Sequence, residues 1–175
     1  MLLRICAAVL ACVLWCFNPA VSSAVSLFPG SAPDDLGIKE EHLSPCPVTP
    51  NCVVSEEADA THAIAPISYT GDRQQVREAL EDVLGVVPRT KIVEATDRYI
   101  RAESSSRLLG FVDDVEFYFP EDQNIIHIRS ASRLGESDLG VNKRRLEQIR
   151  LALQDLELSP KMWFKSQKIA FEITQ

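Results

Sequence analysis

Basic and hydroxyl side chains are concentrated between residues 129 and 150 of an otherwise acidic sequence. This stretch holds six basic and three acidic side chains, whereas the whole chain of 175 residues has a formal charge of −7. A predicted strand ends here and runs through glycines into a predicted helix, whose first amides and positive dipole end favour an anion. We therefore expect a binding region for a protein partner or a small anion. Its residues are Asp113, Arg129, Ser130, Ser132, Arg133, Ser137, Asp138, Asn142 and Arg144.

The same residues also fit a structural role. Arg129 would then pair with Asp114 across two strands, and Asp138 or Asn142 would cap the second predicted helix. Residues 143–145 would form a solvated helix face. The sequence leaves both interpretations open.

Asp113 falls on the apolar face of its predicted strand, where a carboxylate needs hydrogen-bond donors. Ser130 and Ser132 on the same face would supply them, or the three would line a polar pocket at the end of the sheet. A hydrolase that uses Asp113, His127 and nearby serines is a second functional hypothesis.

Motifs of known enzyme classes are missing from the sequence, including a Gly-x-Ser-x-Gly elbow, a phosphate-binding glycine loop and His-Glu-x-x-His. We therefore favour a non-enzymatic binding module, and expect no catalytic residue, no metal site and no cofactor. The acidic balance argues against nucleic-acid or general anionic-membrane binding. Membrane contact is expected only through the N-terminal segment, if that segment is retained.

Residues 1–24 have the pattern of a signal peptide. Arg4 precedes the uncharged apolar run Ile5–Phe17, and small residues follow, so we expect export and cleavage near Ala24. An uncleaved anchor is the alternative, although a transmembrane helix needs about 20 apolar residues. A lipoprotein modified at Cys12 is a third possibility.

Residues 25–60 are rich in proline, serine and acidic side chains without regular periodicity, which indicates an extended arm. Cys46 and Cys52 are the cysteines that remain after signal removal, and in an oxidising compartment they most simply pair in a short loop. The alternatives are a redox pair or a metal site with His42 or His62. The five residues between the two cysteines fit neither alternative.

Residues 61–175 predict a single α+β domain. The fold expected is a two-layer β-α-β-β-β-α arrangement, with a mainly antiparallel sheet, both helices on one face and a possible C-terminal strand. The predicted elements are a strand at 63–69, a helix capped by Asp72, strands at 91–103, 111–119 and 124–133, a helix at 141–156 and an edge strand at 168–173.

The strands at 111–119 and 124–133 form a predicted hairpin. Its register places Asp114 opposite Arg129 and Glu116 opposite His127, so that complementary polar side chains meet across the strands. The apolar side chains of both strands then share the other face.

Three sequence motifs occur in a fixed order. They are Cys-Pro-x-x-Pro-Asn-Cys-Val at 46–53, Gly-Phe-Val-Asp-Asp-Val-Glu-Phe at 110–117 and Arg-Ser-Ala-Ser-Arg at 129–133, followed by polar positions as far as Arg144. The set resembles the Domain of Unknown Function 1499 (DUF1499) family over about residues 36–156. The resemblance implies no particular activity. Members often follow an export signal, and the cysteine-rich signal resembles those of cyanobacteria, where export leads to the periplasm or the thylakoid lumen.

Overall fold

A computed structural model describes residues 28–158, which form an antiparallel sheet and two helices. The strands are β1 (Cys52–Val54), β2 (Ile67–Ser68), β3 (Thr90–Ala95), β4 (Tyr99–Ser105), β5 (Val112–Tyr118) and β6 (Ile125–Ser132). The helices are α1 (Arg73–Val86) and α2 (Val141–Leu158). The order in the sheet is β1-β6-β5-β4-β3, and β2 also pairs with β6. The predicted α+β fold class is confirmed.

Both helices pack on one face of the sheet through apolar stripes. The α1 helix begins after Asp72, whose carboxylate accepts a hydrogen bond from the backbone N–H of Gln75 at 3.1 Å, as predicted. The buried helix residues are Val76, Leu80, Val83 and Leu84 of α1 and Leu146, Ile149 and Leu153 of α2. They meet a sheet face made of Ile100, Ala102, Val115, Phe117, Ile126 and Ile128. This layer is the main core.

The prediction of a single strand at 91–103 is wrong, because a turn divides this segment into β3 and β4. The turn is closed locally, since the Thr96 hydroxyl accepts from the Tyr99 N–H at 3.1 Å and the Thr96 N–H donates to the Tyr99 carbonyl at 2.8 Å. The predicted arm also contributes a strand, β1. The predicted signal peptide and the predicted strand at 168–173 lie outside the described residues.

The hairpin of β5 and β6 is shifted by two residues from the predicted register. Glu116 lies opposite Arg129, where the pattern predicts Asp114. Tyr118 lies opposite His127, where the pattern predicts Glu116. Both predicted pairs are wrong. Because the shift is an even number of residues, each side chain still keeps its predicted face.

Contacts outside the hairpin explain this shift. The start of β6 pairs with β2, where Ile126 lies opposite Ile67. The N–H of Phe119 donates to the carbonyl of Arg98 at 2.9 Å. The β5–β6 ladder therefore ends at Tyr118, and the connecting loop is longer than the two or four residues that the hairpin pattern predicts.

The N-terminal arm covers the face of the sheet opposite the helices. Cys46 and Cys52 form the predicted disulfide, which joins the arm to the first residue of β1. A second apolar cluster lies under the arm and consists of Leu43, Val54, Tyr99 and Tyr118. The sheet is therefore enclosed on both faces.

His62 makes the anchoring of the arm sensitive to pH. Its buried ring lies with Nδ1 2.9 Å from the Asp59 carboxylate and Nε2 3.2 Å from the Thr49 carbonyl. Only the protonated ring donates from both nitrogens, and the hydrogen bond to Asp59 raises the pKa of His62.

A histidine whose pKa is raised by folding stabilises the folded state at pH values below its unfolded pKa of about 6.5. This stabilisation is lost as the pH rises through the folded pKa. We therefore expect the wild type to be more stable than Asp59→Asn at about pH 6. The difference between their free energies of unfolding should shrink as the pH rises to about pH 8. Urea titrations at both pH values measure this difference. A difference that grows with pH would contradict the assignment.

Candidate functional site

The predicted binding residues divide between the two faces of the sheet. Successive strand residues point to opposite faces, so Asp113, Ser130 and Ser132 lie on the helix face. Arg129 and Arg133 lie on the face under the arm. The structure therefore does not bring the two arginines to the same site as Asp113.

Arg129 forms a buried ion pair with Glu116. The Arg129 guanidinium lies 2.7 Å from the Glu116 carboxylate, and the two side chains are 3% and 0% exposed. The second Glu116 oxygen accepts hydrogen bonds from the Tyr99 hydroxyl at 2.7 Å and the Gly37 N–H at 2.9 Å. Burial and the neighbouring Glu116 carboxylate raise the pKa of Tyr99, which keeps the phenol a donor. Protein groups therefore occupy both Glu116 oxygens.

Arg133 is held in a similar way by Asp114. Its Nε and Nη2 atoms lie 2.7 and 2.8 Å from the two Asp114 oxygens, a bidentate arrangement. Arg101 donates to the same carboxylate at 3.1 Å, and Glu103 accepts from Arg133 at 2.5 Å. The hydrogen bonds that Arg133 donates to Asp114 raise the pKa of Arg133. Like Arg129, Arg133 has its charge balanced inside the domain.

Asn142 is the centre of a buried polar network between α2 and the sheet. Its carbonyl oxygen accepts from the Ser130 hydroxyl at 2.5 Å. Its amide donates to the Asn51 carbonyl at 2.9 Å and to the Ser132 hydroxyl at 3.0 Å. The three predicted residues Ser130, Ser132 and Asn142 are thus brought together, and Asn51 links them to the disulfide loop.

Arg145 joins this network and was not predicted to belong to it. Its guanidinium donates to Asp113 at 2.5 Å and to the Asn142 carbonyl oxygen at 2.7 Å. The signal in the sequence is the spacing, because residues three apart share one face of a helix. The predicted residue Arg144 points away and donates to the Leu139 carbonyl at 2.8 Å. The donor to Asp113 is therefore Arg145 of the helix, whereas the predicted donors Ser130 and Ser132 form hydrogen bonds with Asn142 instead.

Asp138 and Ser137 shape the start of α2. The Asp138 carboxylate accepts from the N–H groups of Gly140 at 2.8 Å and Asn142 at 2.7 Å. The Ser137 hydroxyl accepts from the Leu139 N–H at 3.4 Å. Asp138 is thus the helix cap, as one of the two sequence interpretations predicts.

A cleft of about 430 Å³ opens beside this network. It lies between the residues after α1, the end of β4 and the start of α2. Its charged lining residues are Arg89, Arg107, Asp113, Arg144 and Arg145. The serines at 104–106 also line it. Four arginines against one aspartate make this cleft electropositive in a chain with a net negative charge.

Three of the cleft arginines have no acidic partner within residues 28–158. Arg89 donates to the Ser105 carbonyl at 3.1 Å, and Arg144 donates to a carbonyl as described above. Arg107 has neither a hydrogen bond nor an ion pair in that range. Sequence reasoning missed Arg89 and Arg107, since they lie far from the 129–150 stretch along the chain.

His127 lies on the face under the arm, opposite to Asp113. Its Nδ1 is 3.3 Å from the Ser55 hydroxyl, and its Nε2 is 3.7 Å from the Glu56 carboxylate. Burial lowers the pKa of His127, and its ring stacks on Tyr118 with centroids 6.0 Å apart. Asp113 and His127 therefore do not form one site.

Between residues 28 and 158 no group of three or more histidine, cysteine, aspartate or glutamate side chains could hold a metal ion. No helix in the same range is both long and apolar enough to cross a membrane.

The fold and the site define a two-layer α+β domain. The N-terminal arm covers one face of its sheet, and a basic cleft lies at the start of its second helix. Residues 42–153 match the model of a family described as "Protein of unknown function (DUF1499)". The chain belongs to this family. No curated protein and no solved structure matches it.

Proposed function

We propose that this protein is an exported, non-enzymatic binding module that holds a small anion in the basic cleft. The observation that carries the proposal is the convergence of Arg89, Arg107 and Arg144, each without an acidic partner in the described range, on one concave surface. Arginine forks match carboxylate and phosphate oxygens in geometry and charge. An anionic side chain of a protein partner would use the same groups.

The rest of the cleft supports binding at a fixed position. Arg145 is held in place by Asp113 and Asn142, so its orientation is set before a ligand arrives. The Ser106 hydroxyl accepts from the Phe111 N–H at 3.0 Å, which leaves its own proton available for an anion. The amino end of α2 adds a favourable dipole.

Export is proposed from two features of the chain. The first is the signal-peptide pattern of residues 1–24. The second is the Cys46–Cys52 disulfide, since such bonds persist in oxidising compartments such as the periplasm.

The alternative of a hydrolase has less support. Asp113 and His127 lie on opposite faces of the sheet, as described above. The serine in hydrogen-bond contact with His127 is Ser55. Its hydroxyl also accepts from the Ile128 N–H at 2.8 Å and so stabilises the sheet. We therefore favour the anion-binding module over the hydrolase.

Substitution of two of the three exposed cleft arginines tests the proposal. We expect Arg107→Ala/Arg144→Ala to bind inorganic phosphate and citrate at least about tenfold more weakly than the wild type, since hydrogen bonds to charged groups are lost. Isothermal titration calorimetry measures the affinities. Unfolding in urea should be unchanged.

Arg73→Ala is the matched control because Arg73 lies at the other end of α1. Its affinity for both anions should equal that of the wild type. If the wild type binds neither anion, or if the double variant binds both as tightly as the wild type, the cleft is not an anion site.

A further inference from the structure

Exposed apolar residues occur next to cleft residues on three segments of the chain. Leu108, which follows Arg107 at the tip of the β4–β5 hairpin, is 86% exposed. Leu139 at the start of α2 is 85% exposed, and Val86 beside the cleft residue Val87 is 80% exposed. Val141 itself lines the cleft and is partly exposed.

Exposed apolar residues on several segments beside one cleft favour a contact surface. Single exposed leucines are ordinary in folded proteins, but neighbouring exposed apolar groups mark contact sites for other molecules. Here they lie on different elements and border one concave basic surface. A surface that is apolar at its rim and cationic at its centre matches the interface of an anionic bilayer, where acyl chains lie directly below charged headgroups.

The first described residue lies at the same end of the domain. The ring of Phe28, the first described residue, lies 6.0 Å from the ring of Phe111 in the β4–β5 hairpin. Ten residues separate Phe28 from the end of the uncharged apolar run Ile5–Phe17. While that run is attached and held by a membrane, the hairpin tip and the cleft are tethered close to the bilayer.

We infer that the anion bound in the cleft is the net-negative, phosphate-bearing headgroup of a membrane lipid such as phosphatidylglycerol, with Leu108 and Leu139 inserting beside it. This inference rests on the proposed function and names its ligand. Because the chain carries a net charge of −7, it is repelled at long range by an anionic bilayer. Docking then depends on the cleft arginines and the apolar rim at contact distance.

Hydrogen exchange on the full chain tests this inference. Vesicles of phosphatidylcholine alone are compared with vesicles that also contain phosphatidylglycerol. Residues 1–24 are common to every variant, so local exchange of amides at 106–112 and 139–145 is measured instead of total binding. We expect protection of both segments by phosphatidylglycerol vesicles and none by pure phosphatidylcholine.

Leu108→Asp and Val48→Asp form a matched pair of variants. Val48 is 96% exposed, lies in the disulfide loop and does not line the cleft. Since a buried leucine side chain favours the apolar phase strongly, Leu108→Asp should need at least about ten times more lipid for equal protection. Val48→Asp should behave as the wild type.

Each other outcome overturns the lipid assignment. Equal protection by both vesicle types would mean that the net negative charge of the headgroup is not recognised, since phosphatidylcholine also carries a phosphate. No protection by either would mean that the surface does not dock. If inorganic phosphate binds in calorimetry but vesicles protect neither segment, the cleft serves a soluble anion. If both measurements fail, the proposed function falls with the inference.

Discussion

Replacing Glu116 with alanine is expected to destabilise the domain by about 3–5 kcal/mol, the usual effect of removing one partner from a buried ion pair. The Arg129 guanidinium would remain buried without its carboxylate, and the Tyr99 hydroxyl and Gly37 N–H would lose their acceptor. The urea midpoint, followed by circular dichroism, measures the loss.

Glu94→Ala provides the control for this substitution. Glu94 is half exposed and lies 3.9 Å from Arg101, and such surface pairs contribute about 0–1 kcal/mol. We therefore expect little change in its urea midpoint.

A double variant separates the charge from the packing. Glu116→Leu/Arg129→Met removes both charges and keeps apolar volume, so it should be more stable than Glu116→Ala. A Glu116→Ala protein as stable as the wild type would show that the pair does not hold the arm to the sheet.

Replacing Asn142 with alanine is expected to cost about 2–3 kcal/mol, because buried polar groups lose their partners. The Asn51 carbonyl would lose one of its two donors and keep the Ser132 N–H, and Ser130 and Arg145 would lose their shared acceptor. Alanine is the better helix former, so the intrinsic helix preference works against this loss. Urea unfolding measures the net effect.

Asn124→Ala is the control for this substitution, since Asn124 is exposed in the loop before β6. It should unfold at the same urea concentration as the wild type. An Asn142→Ala protein with unchanged stability but lost phosphate affinity would contradict the structural role and would place Asn142 among the ligand-binding groups.

The alternation of apolar and polar residues in the two hairpin strands was enough to assign their faces. Val115, Phe117 and Ile128 lie in the core as that pattern predicts. The register was not predictable from the hairpin alone, because a shift of two residues preserves every face. Pairing with β2 and burial of Glu116 against Arg129 select among registers, and both involve residues outside the local pattern.

The arginines after β6 show that local sequence patterns are limited in the same way at the site. Composition located an anion-favouring stretch, but it did not distinguish Arg144 from Arg145, which differ by about 100° around α2. Rotation of the helix against the sheet turns Arg145 toward Asp113 and leaves Arg144 in the cleft. Helix rotation depends on packing of Leu146 and Ile149, a tertiary property.

By itself, then, the sequence determined the class of fold, the disulfide, the cap of α1 and the family motifs, because periodicity, spacing and capping are local properties of a chain. Only the tertiary structure decided which charges neutralise one another and which remain available. Arg129 and Arg133 find carboxylates from neighbouring strands, whereas Arg89, Arg107 and Arg144 come from three distant segments and meet around one cleft. Such partners are set by the packing of elements far apart along the chain, which no local pattern records.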